Sequence, residues 1–126
     1  MSEFSPSVWN GIKHGSYLVV AQEVGPSSIN FRRWIAIYPI FKLPKDPMFV
    51  ATAFSFLKSS LEHKYCIVDF EVDKKVLEVS DGVNENDLIN VNHWSASSDE
   101  DLFRQLKSMG IDMALFVPDW KCEFPL

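Results

Sequence analysis

The segment INFRRWIAIYPIFKL, residues 29–43, carries apolar side chains on both faces of an extended chain. Trp34, Ala36, Tyr38 and Ile40 alternate with Ile35, Ile37 and Phe41, the pattern of a strand covered by protein on two sides. Pro39 lacks a backbone donor and so marks an edge position or a bulge. Upstream, SYLVVAQEV (16–24) is β-branched and apolar and is stopped by Gly25-Pro26, as an antiparallel neighbour would be. Downstream, YCIVDFEV (65–72) alternates. Cys66, Val68, Phe70 and Val72 form a dry face, and Ile67, Asp69 and Glu71 form a wet one. Asp73-Lys74-Lys75 then turns the chain into VLEVS (76–80), which predicts a hairpin over 65–80, and LINV (88–91) reads as a further short strand.

Two helices stand out. Asp46-Pro47 supplies an N-cap and a proline at the first helical position. Phe49, Val50, Ala53, Phe54, Leu57 and Leu61 then recur at helical spacing to about His63. Ser97 with Glu100, or Ser98 with Asp101, fits a capping box. Leu102, Phe103, Leu106 and Met109 form the stripe of that second helix, and Gly110 sits where a left-handed cap belongs. IDMALFV (111–117) reads as a last strand, and the tail DWKCEFPL as an aromatic segment docked on the body. The expected architecture is a single α+β domain over 1–126. It has a mostly antiparallel sheet of about five or six strands, with two main helices packed on it on one face.

Length and composition agree with that architecture. A chain of 126 residues with 47% hydrophobic and 13% aromatic residues can bury a core without disulfides or metals. Cys66 and Cys122 lack a metal-binding spacing and are expected to be unpaired thiols. No apolar run is long enough to span a membrane. MSEFSPSVWNGIK lacks the cationic start and apolar core of a signal peptide, so a cytoplasmic protein is expected.

Charge is unevenly placed. Residues 1–65 hold seven Lys/Arg against four Asp/Glu, a net +3, while residues 66–126 hold five against thirteen, a net −8. Direct nucleic-acid binding by the second half is disfavoured, because phosphate contacts need cations. Arg32 and Arg33, beside Phe31 and Trp34, are too few to reverse that. The stretch SDGVNENDLINVNHWSASSDEDL (80–102) contains Asp81, Glu85, Asp87, Asp99, Glu100 and Asp101 and no Lys or Arg. The last three fill the first turn of a helix, where negative charge meets the positive end of the dipole. Asp81, Glu85 and Asp87 lie in a turn-rich segment. With Trp94 nearby and Trp120 in the tail, they suggest an acidic surface bearing aromatic anchors, suited to a cationic protein.

Motifs for catalysis are missing: the sequence has no glycine-rich phosphate loop, GxSxG elbow or HExxH. His14, His63 and His93 are dispersed, without a Cys or His at ligand spacing, so no metal and no cofactor is expected. A small enzyme using His93 or His63 with a carboxylate is the alternative reading. A subunit or adaptor of a larger assembly is a third.

In general character over its whole length, small, acidic, aromatic-rich and without catalytic machinery, the chain resembles the immunity proteins that bacteria encode beside toxins, including those of contact-dependent growth inhibition. That resemblance implies a monomer or small homo-oligomer that binds a cognate basic toxin domain, often a nuclease, and blocks it. The expected contact surface is Asp81, Glu85, Asp87, Trp94, Asp99, Glu100 and Trp120.

Overall fold

The computed structural model describes residues 3–44, 46–79 and 82–126. Its frame is a five-stranded, fully antiparallel sheet: β1 (Val20–Val24), β2 (Phe31–Pro39), β3 (Tyr65–Asp73), β4 (Ile89–Ala96) and β5 (Val117–Pro118). The order across the sheet is β4-β3-β2-β1-β5, so four strands follow one another as a meander and β5 returns to the far side of β1. β2 and β3 pair over nine residues each, from Phe31 opposite Asp73 to Pro39 opposite Tyr65. Pro39 therefore marks neither an edge strand nor a bulge. It is the last residue of a central strand, where the missing donor costs least.

The α+β class, the antiparallel sheet and two main helices are as expected, but one of those helices is a different one. α1 (Pro6–Lys13) begins with Ser5 as N-cap and Pro6 at the first position, a signal that the sequence reading passed over. α1 and α5 (Asp99–Ser108) pack on one face of the sheet. There Val8, Ile12, Leu102 and Leu106 meet Val20, Ile35, Ile37 and Ile67. The opposite face is also covered. Trp34, Ala36, Val68 and Phe70 lie under Phe56 and Leu57, with Phe124 and Leu126 of the tail packed against them. Helical cover is thus not confined to one face, which explains why β2 is apolar on both.

Three expectations fail locally. The single helix over 46–63 is broken into α2 (Pro47–Thr52) and α3 (Ser55–Lys58), because Ala53 and Phe54 are extended, with ψ of 153° and 146°. Asp46 caps α2 as expected, accepting from the Phe49 N–H at 2.9 Å. The break sacrifices a few helical bonds worth about 1 kcal/mol each. It buries Phe56 and Leu57, worth about 2–3 kcal/mol each. Burial wins, since the apolar stripe is too wide for one straight helix.

Residues 76–79 of VLEVS are not a strand, and Ser80 lies outside the described residues. They belong to α4 (Lys74–Val79), started by Asp73, whose carboxylate accepts from the Lys75 N–H at 2.8 Å. IDMALFV is not a strand either. Asp112 accepts from the Ala114 N–H at 3.0 Å and nucleates a 3-10 turn, Met113–Leu115, leaving only Val117–Pro118 to pair with β1. The second helix and its caps match expectation. Ser98 accepts from the Asp101 N–H, and Gly110 adopts φ 73°.

Candidate functional site

The acid-rich stretch folds as one side of the molecule. A 3-10 turn (Glu85–Asp87) leads into β4, and β4 runs directly into the first turn of α5. β4 is an edge of the sheet. Among the described residues no strand lies on its outer side. Its eight residues, INVNHWSA, include no charge and no proline, although natural edges are usually blunted by one or the other. The edge is bulged at Asn90–Val91 and regular in register from Asn92 to Ala96. The register shifts between Asp69 and Glu71, Asn90 has φ 52°, and the Gln105 amide donates to the Ser95 carbonyl at 2.8 Å.

The acids differ in what they hold. Asp99 sits among Tyr65, Lys13 and Lys64, accepting from the hydroxyl at 2.5 Å and from each ammonium at 2.8 Å. Partial burial opposes its charge. The bonds from Lys13, Lys64 and Tyr65 outweigh that and hold its carboxyl at about 2. Asp101 accepts from the Ser97 N–H and from Arg104. Glu100 is exposed, with no ion pair among the described residues. Cations of the same chain thus answer Asp99 and Asp101 at the α5 end of β4, and leave Glu100 without an ion pair among the described residues.

At the other end no ion pair is formed by Glu85 or Asp87 among the described residues, although the charge of Lys58 favours the Glu85 carboxylate. Glu85 accepts from the Ser55 N–H at 2.7 Å, bonds that keep its carboxyl below the usual range. Asp87 accepts from the Asn84 N–H at 2.9 Å. Asp81 lies outside the described residues. Two carboxylates without an ion pair among the described residues, Glu85 and Asp87, thus precede β4, and one, Glu100, follows it.

The two tryptophans do not come together. Trp94 stands on β4 opposite Ile67 and packs, half-buried, against the α1/α5 core. Trp120 follows β5, is 67% exposed and meets Tyr17 edge-on at 5.7 Å. β4 and β5 are four strand spacings apart, roughly 19 Å, so no single patch holds both.

Two acids read as facing water are buried. Asp69 accepts a bidentate pair from Arg33 at 2.8 and 2.6 Å. Glu71 accepts from the Ser27 N–H at 2.7 Å and from the Asn90 amide at 2.8 Å. Arg32 is held by Glu23 through two bonds, so both arginines belong to the sheet surface. Cys66 and Cys122 are free thiols, and burial pushes Cys66 up to about 11, away from nucleophilic chemistry. His93 is exposed on β4, with Nδ1 3.4 Å from the Ser59 hydroxyl. His63 is exposed and donates its N–H to the Ser60 carbonyl. Among the described residues no three His, Cys, Asp or Glu converge as a metal site requires, and no helix is long and apolar enough to cross a membrane.

That β4 is an open edge is not legible in the sequence, because a run without charge or proline fits a central strand as well as an edge. No protein-family model matches this sequence, and no match to it is found among curated proteins or solved structures.

Proposed function

We propose that this chain is a protein-binding domain of the immunity type. It neutralises a cationic partner protein, such as a toxin domain, by receiving an extended segment of that partner along the outer edge of β4. The observation that carries this reading is the edge itself: eight uncharged, proline-free residues with no strand on their outer side among the described residues, shortly after Glu85 and Asp87. Such an edge is a template for strand addition, in which main-chain hydrogen bonds supply affinity. Carboxylates beside it select a segment carrying cations and speed its encounter. The lysine- or arginine-bearing end of the segment belongs at the start of β4, where Glu85 and Asp87 stand together, because at its finish Asp99 and Asp101 are already paired with Lys13, Lys64 and Arg104 and only Glu100 is left.

The test is association with an alternating Thr/Val peptide bearing two lysines at one end, followed by stopped flow at several salt concentrations. Glu85→Gln with Asp87→Asn is expected to slow association severalfold and to flatten its salt dependence. Unchanged rates would count against the reading. Sedimentation of the free chain identifies the competing occupant, a second copy paired through β4.

A further inference from the structure

Away from β4, the outer sides of α1 and α5 enclose a cavity of about 700 Å³ that opens to solvent. This lies within the range of small-molecule sites. Its wall is aromatic. Phe4 stacks on Trp9 with centroids 5.2 Å apart, and Phe103 meets Trp9 at 5.1 Å. Ile111 and Met113 complete the apolar lining.

Polar groups are few and come mostly from one helix. Arg104 and Lys107 stand three residues apart on α5, and Glu3 is the single acid of the lining among the described residues. Arg104 shares its charge with Asp101, whereas Lys107 and Glu3 have no ion-pair partner among the described residues. An apolar chamber whose rim carries an ammonium without an ion pair among the described residues is matched to a ligand with an apolar body and an acidic group.

We infer that the cavity between α1 and α5 is a binding site for a small amphiphilic monoanion, with its apolar body against Phe4, Trp9 and Phe103 and its acidic group on Lys107. Glu3, the acid of the described lining, disfavours a second negative charge on the ligand. This site is separate from the β4 edge and does not depend on strand addition.

Decanoate is the probe, titrated by calorimetry into the full chain below its micelle concentration. One molecule is expected to bind, and each methylene removed is expected to weaken binding roughly three- to fourfold. Lys107→Glu is expected to weaken decanoate about tenfold or more, the loss of a charged hydrogen bond. Glu3→Gln is expected to tighten it a fewfold, and decyltrimethylammonium to bind at least about tenfold more weakly than decanoate. Both substitutions are at side chains without ion pairs among the described residues, so circular dichroism should show the fold intact. The inference is overturned by any of three results: no saturable decanoate binding, equal binding to the Lys107→Glu variant, or equal affinity for the cationic probe.

Discussion

The Tyr65 hydroxyl donates to the Asp99 carboxylate at 2.5 Å, joining the first residue of β3 to the first turn of α5. Lys13 and Lys64 complete the same carboxylate, so Asp99 ties α1, β3 and α5 together beneath the ring of Phe41. An acid placed to greet a helix dipole has become an internal junction.

Asp99 should therefore set part of the acid stability. Its folded carboxyl, at about 2, lies below the unfolded value near about 3.9, so its contribution is fully present above about pH 5. That contribution is lost as the pH falls toward 2. Asp99→Asn is expected to cost on the order of 2 kcal/mol at pH 7 and little at pH 2, measured by urea denaturation at both values. An equal cost at both would refute the junction.

The two neighbouring arginines should behave differently. Arg33 neutralises Asp69, whose side chain is only 9% exposed, whereas Arg32 pairs with the exposed Glu23. Arg33→Ala should destabilise by about 3 kcal/mol, because it leaves a buried carboxylate alone. Arg32→Ala should cost about 1 kcal/mol or less, from chemical denaturation of both variants.

Gly11 lies inside α1, where alanine would ordinarily stabilise a helix by about 1 kcal/mol. Here a Cβ would fall 2.3 Å from the Tyr17 ring. Gly11→Ala is expected instead to destabilise by about 1–3 kcal/mol, with the melting temperature falling. A raised melting temperature would show that Tyr17 moves aside freely.

Cys66 should be nearly inert. With its thiol pushed up to about 11 and its side chain fully buried under Phe56, native alkylation at pH 8 should run at least about a hundredfold slower than after unfolding. Mass spectrometry of iodoacetamide-treated protein provides the rates.

Much of the fold was legible, for identifiable reasons. β2 showed itself by apolar residues on both faces, and α5 by Ser98, its leucine stripe and Gly110. VLEVS was ambiguous because four or five alternating residues fit a short helix as well as a strand, and Asp73 decided the matter locally. Asp69 and Glu71 looked wet because their partners, Arg33, Ser27 and Asn90, are set by strand register and loop path, which periodicity does not encode. The acidic surface was overestimated for the same reason. Lys13 and Lys64 reach Asp99 only after the chain has folded. Periodicity does not say which strand ends at the edge either: INVNHWSA carries neither charge nor proline, as a central strand would, and only the folded strand order places it outermost.

That edge can be interrogated residue by residue. Amide hydrogen exchange of β4 is to be followed by NMR, with and without the Thr/Val peptide carrying two lysines, and with a control carrying two glutamates. Free, the outward amides between Val91 and Ser95 should exchange quickly, and the lysine peptide should slow them about tenfold or more while the glutamate peptide leaves them unchanged. Protection that fails to develop on β4, or that develops equally with both peptides, would contradict the proposed role of this edge.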